Sequence, residues 1–378
     1  MGIVIALNIL ENINLYMKYF SFIFDYVVTS WLKLRIRPRV LQLPITSRCN
    51  SCCTTCNIWK MLKKTDLNAE ELASVLKNAF FQRIEVVGVN GGEPSLHQDI
   101  ENVISALFVL KKLKRVHIIS NGMNGRILLD KLARIKLLCN SHNVKLFLTI
   151  SIDAIGSVHD ATRGISGAFD KTVQTVKNIL QDKSVYCDEL DIGCTISNAN
   201  IGFMPAVSVL CRHLGVDSYY HLAVPNERLH TFNVAPYSIM NNRRNILLAQ
   251  EYFYGEFKYC YSLKQRMRSF ISYDYLAHQG KRRLAPCQYL RRDVTIDEKM
   301  NFSLCACAGK TLWPLSDVVL PANAKKIIVQ EEKRLSVLCD TCIHYIVYPS
   351  IKSLFLFVKE RFSGLIWIWY RVHCRRIF

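Results

Sequence analysis

The sequence lacks the tracts that keep a chain unfolded. It has no acidic, Pro-rich or Gly/Ser-rich run, no recognisable linker and no internal repeat. Only 21% of the residues are charged and 50% are hydrophobic, which is the composition of a packed protein. At 378 residues the chain can bury a large core. A small scaffold is therefore excluded, and one large α/β domain with a smaller module is expected.

A clear targeting segment is also missing. The stretch Tyr16–Leu34 is aromatic and apolar, but Lys18 and Asp25 interrupt it and no small-residue cleavage signal accompanies it. It therefore fits a signal peptide poorly and a membrane-spanning helix only weakly. We predict that residues 1–39 form an amphipathic or apolar helix region, either interfacial or packed on the core.

Acidic residues are few beside basic ones, and the formal net charge is +19. Such a field favours anionic partners, but it does not choose among phosphate lipids, nucleic acid and acidic substrates. No element carries a basic stripe interleaved with aromatic residues, and no RNA-binding motif is present. A nucleic-acid partner is therefore not expected.

The chain has 15 cysteines, and they are clustered in a protein too long to be a disulfide-stapled mini-fold. This usage indicates a reducing compartment and thiolate metal ligands, so a cytoplasmic location is predicted. The segment 346–378 is predicted as a basic, aromatic-rich helix. It packs either on the α/β domain or on a partner, or lies peripherally on the inner face of a membrane.

Between residues 40 and 222, short apolar runs alternate with longer amphipathic segments, the pattern of βα units around a parallel sheet. The predicted strands are Val40–Ile45, Ile84–Val89, Arg115–Ile119, Val144–Ile150, Leu190–Ile196 and Asp217–Leu222. The predicted helices are Asn68–Phe80, Asp99–Leu110, Gly125–Cys139, Gly167–Leu180 and Phe203–Leu214. Six units are too few for a closed eight-stranded barrel, so we expect an α/β partial (β/α)6 barrel. Its loops would gather functional residues at the carboxyl ends of the strands.

Three cysteines follow the first predicted strand, with Cys53 four residues after Cys49 and Cys56 three residues later. Three thiolates at this spacing can bind three irons of a [4Fe–4S] cluster and leave the fourth iron open. Cys52 is expected to point away. A zinc site is the alternative, although zinc sites usually show two paired arms.

Polar clusters follow the next strands: Gly91-Gly92-Glu93-Pro94, then Ser120-Asn121, then Ser151 with Asp153, with Arg163 further along the chain. Glycines let the backbone approach a ligand closely, and a carboxylate such as that of Glu93 pairs with an ammonium group. Arg163 can make a bidentate contact with a carboxylate. The order of these clusters along the chain indicates one shared site.

The cysteine motif and the Gly-Gly-Glu-Pro segment together resemble the radical S-adenosylmethionine superfamily. The resemblance implies that the open iron binds the methionyl part of S-adenosylmethionine, and that a 5′-deoxyadenosyl radical then abstracts a hydrogen atom. One departure is Thr55, where members often carry an aromatic residue; Trp59 is a candidate substitute. The cofactor-binding residues implied are Gly91, Gly92, Glu93, Pro94, Ser120, Asn121, Ser151, Asp153 and Arg163.

A second cysteine set lies in residues 285–345, beyond a mostly helical region, 223–284. It resembles the Twitch module, a shortened relative of SPASM, and implies an auxiliary [4Fe–4S] cluster; a zinc ribbon is the alternative. The implied ligands are Cys287, Cys305, Cys339 and Cys342, with Cys307 competing for the place of Cys305.

The leading hypothesis is an enzyme that modifies a sugar-like, small-molecule or peptide substrate and takes electrons from a donor such as flavodoxin or ferredoxin. His221, at the end of the last predicted strand, and Asn226, Glu227 and Arg228, which follow that strand, are candidates for the substrate side. The first alternative is a radical enzyme that modifies RNA. The second is a non-catalytic, membrane-associated iron–sulfur carrier, which leaves the open-iron spacing unexplained.

Overall fold

The structure is a computed structural model, which describes residues 27–28, 32, 35–224, 226, 236–260, 262–284, 287, 289–316, 319–342, 344 and 356–360. Residues 1–26 and most of the predicted terminal helix 346–378 lie outside the described residues. So do Glu227 and Arg228. In the described part, no helix is long and apolar enough to cross a membrane.

The described residues form one sheet, in the order β6-β5-β4-β3-β2-β1-β7-β8-β9. Strands β1 to β6 are parallel, and each pairs with its neighbour in sequence. The strands are β1 Val40–Pro44, β2 Val86–Asn90, β3 Arg115–Ser120, β4 Lys145–Ser151, β5 Glu189–Ile196, β6 Asp217–Leu222, β7 Asp293–Ile296, β8 Asn301–Ser303 and β9 Trp313–Pro314. Each predicted strand is present to within two residues at either end. The predicted α/β fold with the parallel sheet of a partial barrel is confirmed.

Helices follow the strands. They are α1 Ala69–Leu76, α2 Ile100–Ala106, α3 Gly125–Ser141, α4 Ser157–Arg163, α5 Ala168–Gln181, α6 Lys183–Tyr186, α7 Met204–Leu214, α8 Arg243–Tyr259, α9 Leu263–Ala277 and α10 Ala324–Cys339. Asn68 begins α1 by accepting hydrogen bonds from the backbone N–H groups of Glu70 and Glu71. The helix ends before the predicted Phe80, because the Asn78 side chain accepts from the Phe80 N–H and turns the chain.

The core lies between the sheet and the helices. Leu41 and Leu43 of β1 and Val87 and Val89 of β2 are fully buried. Each such side chain contributes about 1.5–3 kcal/mol when it is removed from water. Pairing runs in register from Val40 with Val86 onward, so the carboxyl ends of the parallel strands meet at one edge. The loops that carry the predicted site residues therefore start from the same edge.

The cysteine-rich region joins this sheet. Strand β7 pairs in parallel with the outer edge of β1, and the short strands β8 and β9 continue antiparallel. The sequence pattern does not predict these strands. Their pairing places the second cysteine set beside the barrel, next to the first strand and the loop that follows it.

Candidate functional site

A cavity of about 260 Å³ opens at the carboxyl edge of the sheet. The loops after the parallel strands form its wall, as expected for a fold of this class. The predicted residues that line it are Cys49, Cys53, Cys56, Gly91, Gly92, Ser120, Asn121, Ser151, Asp153, Arg163, His221 and Asn226. The three loop cysteines and the polar clusters thus meet in one place, although the chain separates them widely.

The cysteine loop is held against the end of α4 by backbone hydrogen bonds. The Cys52 N–H donates to the Arg163 carbonyl at 2.9 Å, and the Thr54 N–H donates to the Thr162 carbonyl at 3.0 Å. Gly164 follows with φ 66°, and a Cβ there would lie 2.7 Å from the Cys52 carbonyl oxygen. Glycine is required at this contact, and the loop is fixed before any ligand binds.

The two glycines after β2 allow close packing on the same loop. The Gly92 N–H donates to the Thr46 carbonyl at 2.7 Å, and a Cβ on Gly92 would lie 1.9 Å from the Arg48 carbonyl oxygen. Gly91 has φ 140°, in the region that favours glycine. These backbone contacts, rather than a flexible turn, account for the Gly-Gly pair.

Glu93 and Pro94, both predicted at the cofactor site, are buried and do not line the cavity. The Glu93 side chain is 1% exposed. Its carboxylate, predicted to receive the cofactor's ammonium group, is held by donors of the chain itself, on Ser95, Ser120 and Asn121.

A buried ion pair lies in the cavity wall. Arg163 Nη2 is 2.8 Å from Asp153 Oδ2, and Asp153 Oδ1 accepts from the Thr195 N–H at 2.9 Å. Arg163 Nη1 also lies 3.8 Å from Cys53 Sγ. Burial by itself lowers the pKa of Arg163, but the charges of Asp153 and Cys53 raise it above its usual value overall. The guanidinium therefore stays charged beside the cysteine loop.

The donor set of the loop fits an iron–sulfur cluster. Burial raises the pKa of the Cys49 thiol to about 12, and the nearby charges of Cys53, Glu93 and Cys56 contribute to the increase. These groups are thus close enough to repel one another when ionised. Coordination to iron stabilises thiolates and relieves such repulsion.

The far side of the cavity is lined by two histidines. His221 Nε2 is 2.9 Å from Thr195 Oγ1, and the ring centroids of His221 and His344 are 6.3 Å apart. His221 Nδ1 is buried and has no hydrogen-bond partner within the part of the chain that the structure describes. Burial lowers the pKa of His221, so its ring is neutral at neutral pH.

The second cysteine set also converges. The side chains of Cys287 and Cys339 are hydrogen-bonded, which lowers the pKa of Cys287 and raises that of Cys339. Cys305 and Cys342 lie close enough to interact electrostatically with Cys287. Cys307 lines the main cavity. Among the described residues, no three His, Cys, Asp or Glu side chains are spaced to hold a single metal ion.

Arg283 holds the backbone of the segment that carries Cys339 and Cys342. Its guanidinium donates to the carbonyls of Cys339, at 3.5 Å, and of Cys342, and to the carbonyl of His344 at 3.2 Å. His344 is one of the cavity residues that sequence analysis missed, with Thr195 and Tyr237. Thr195 lies inside a strand and His344 beyond the CxxC motif, so neither carries a local signal. Trp59, the candidate for the missing aromatic residue, lines the wall and donates from Nε1 to the Cys53 carbonyl at 3.3 Å.

Known proteins are similar to part of this chain. Residues 43–193 match the model of the Radical SAM superfamily. Pre-heme d1 synthase of Dinoroseobacter shibae is 28% identical over 182 residues, which are 47% of this chain and 41% of that protein. The sporulation killing factor maturation protein SkfB of Bacillus subtilis is 26% identical over 183 residues, 47% of this chain and 40% of that protein. The chain thus spans about two fifths of the length of each relative.

The structure of native anSMEcpe with bound AdoMet and Kp18Cys peptide superposes with a TM-score of 0.53 and 16% identity. The superposition covers 89% of this chain and 99% of that chain, and at this identity it shows the fold alone. The segment matched by the family model runs from β1 into β5 and contains the three loop cysteines and the Gly-Gly pair. Residues 43–193 of this chain are thus similar to the Radical SAM superfamily.

Proposed function

We propose that this chain is a radical S-adenosylmethionine enzyme whose [4Fe–4S] cluster is held by Cys49, Cys53 and Cys56. The observation that carries the proposal is that these three cysteines line one cavity together with the polar loops after β2, β3 and β4. When bound, the cofactor at the open iron supplies a 5′-deoxyadenosyl radical that abstracts a hydrogen atom from the substrate. The protein binds and orients both molecules.

The wall residues divide this task by their chemistry. Ser120, Asn121 and Ser151 line the wall beside which the ribose and the methionyl carboxylate would bind, while the Ser120 hydroxyl and the Asn121 amide also hydrogen-bond to neighbouring loops. Arg163 adds a buried positive charge on the same side, fixed by Asp153. A carboxylate that binds near Arg163 gains a charge-assisted contact with a largely buried guanidinium.

We further propose that Cys287, Cys305, Cys339 and Cys342 hold an auxiliary [4Fe–4S] cluster. The support is that these thiols, from three separate segments, lie close to one another while Cys307 faces the main cavity instead. Strand β7 attaches the set to the barrel. This position suits electron exchange with a substrate radical formed in the cavity. A donor such as flavodoxin or ferredoxin remains part of the proposal.

For the substrate we propose a peptide, in preference to a sugar-like or other small molecule. SkfB is named as a maturation protein, and the anSMEcpe structure contains a peptide. The substrate side of the cavity fits an uncharged group, because its two histidines are neutral. His221 and Asn226 would then hydrogen-bond to amide groups of the substrate.

The experiment is anaerobic reconstitution with iron and sulfide, followed by reduction and measurement of 5′-deoxyadenosine formed from S-adenosylmethionine. Replacing Cys49, Cys53 and Cys56 by alanine is expected to abolish the product. Cys52→Ala is the matched control, because this exposed thiol belongs to the same loop but does not line the cavity. Cofactor cleavage by the triple variant would refute the assignment of the loop.

A further inference from the structure

The carboxylate of Glu93 is buried and hydrogen-bonded within the chain, and a residue that binds a cofactor does not require either feature. We infer that Glu93 is a positioning residue, whose carboxylate fixes the loop after β3 so that Asn121 braces the cysteine loop. The inference rests on the proposed cluster at Cys49, Cys53 and Cys56. It assigns Glu93 no contact with the cofactor.

Glu93 is buried and cannot be reached from the cavity. An atom that touches a ligand must be reachable from the cavity, and Glu93 is 1% exposed and does not line the wall. Oε1 accepts from the Ser95 N–H at 3.1 Å and from Ser120 Oγ at 2.8 Å. Oε2 accepts from the Asn121 N–H at 2.7 Å. One carboxylate thus joins the loops after β2 and β3, and its charge is compensated by donors of the chain.

The Asn121 side chain carries the connection to the cysteine loop. Its Nδ2 donates to Asn50 Oδ1 at 2.7 Å and lies 3.4 Å from Ser51 Oγ, while its Oδ1 accepts from the Met123 N–H at 2.9 Å. Asn50 and Ser51 stand between the first two cysteines of the loop, and the Ser51 N–H donates to Cys49 Sγ at 3.4 Å. A continuous chain of hydrogen bonds therefore runs from Glu93 to a proposed iron ligand.

A second contact reinforces the same connection. The Glu93 N–H donates to the Arg48 carbonyl at 2.7 Å, immediately before Cys49. Side chain and backbone of Glu93 thus hold the cysteine loop from two directions. In Glu93→Gln, the amide would present either an N–H₂ group or a neutral oxygen to donors that now bind a charged carboxylate. A buried donor left without an acceptor destabilises the folded loop.

The test compares the cluster before and after the cofactor is added. Glu93→Gln and Asn50→Ala are reconstituted anaerobically, and iron content and the electron paramagnetic resonance spectrum of the reduced cluster are recorded without S-adenosylmethionine. Cys339 and Cys342 are replaced by alanine throughout, so that only the first cluster contributes. Losing a hydrogen bond to a charged group should lower the population of the braced loop roughly ten- to a hundredfold in Glu93→Gln. Both variants should therefore show an altered spectrum or a loss of iron.

Glu85→Gln is the matched control, since Glu85 precedes the same strand at its far end and pairs with Arg39 and Lys114. Its cluster should match the parent protein. If the Glu93 variant keeps the parent spectrum without cofactor but binds S-adenosylmethionine tenfold more weakly, Glu93 is a cofactor ligand and the inference is overturned. If Glu93→Gln does not fold, the result with Asn50→Ala is used instead. An Asn50→Ala spectrum that matches the spectrum of the parent protein overturns the inference. If the parent itself binds no cluster, the proposed function fails instead.

Discussion

From the buried ion pair between Asp153 and Arg163 we predict how much a substitution lowers the free energy of unfolding. Asp153 is 4% exposed, the Arg163 side chain is 12% exposed, and the pair distance is 2.8 Å. Asp153→Asn keeps an oxygen that can accept from the Thr195 N–H but removes the charge facing the guanidinium. Removing one partner of a buried pair leaves an uncompensated charge, which costs about 3–5 kcal/mol. We expect Asp153→Asn to lower the free energy of unfolding of the cluster-free protein by that amount.

The assay is urea unfolding followed by circular dichroism at neutral pH, with linear extrapolation to zero urea. The control is Glu101→Gln, which breaks the pair with Arg134 on the surface, where Arg134 is 50% exposed; it should be indistinguishable from wild type. In the double variant Asp153→Asn with Arg163→Gln, no buried charge is left unpaired, so the loss should be smaller than the sum of the single losses. Additive losses, or a loss for Asp153→Asn below about 1 kcal/mol, would refute the reasoning.

Two further predictions concern acid stability and the auxiliary cluster. The Asp153 N–H donates to His159 Nδ1 at 3.1 Å, and burial, then the charge of Arg163, lowers the pKa of His159 to about 4. The pKa of His159 is lower in the folded state than in the unfolded state, so the folded protein gains stability from the neutral ring, and this stabilisation is fully present above about pH 6.5. About 3 kcal/mol of it is lost as the pH falls to 4 and below, and urea unfolding of His159→Gln should show a flatter dependence on pH. Replacing Cys339 and Cys342 by serine should lower the iron content from about eight to about four per chain and leave uncoupled cofactor cleavage intact. Cys307→Ser should keep all the iron, and metal analysis that found zinc bound by Cys339 and Cys342 would contradict the auxiliary cluster.

The sequence alone determined the barrel and the loop that carries Cys49, Cys53 and Cys56. Hydrophobic periodicity is local, so the six parallel strands could be placed from short windows, and β6 lies at the predicted Asp217–Leu222. The spacing of Cys49, Cys53 and Cys56 is equally local. Because the carboxyl ends of parallel strands share an edge, the order of the polar clusters was enough to predict that most of them meet.

Only the tertiary structure decided how those loops contact one another. Strands β7 to β9 have four, three and two residues, too few for a periodic signal, and they exist because the edge of β1 is available for pairing. Whether Glu93 faces the cavity or the interior depends on donors from Ser120 and Asn121, which belong to another loop. A motif fixes which side chains are near the site. The hydrogen-bond donors and charges that distant segments bring beside each side chain decide its role.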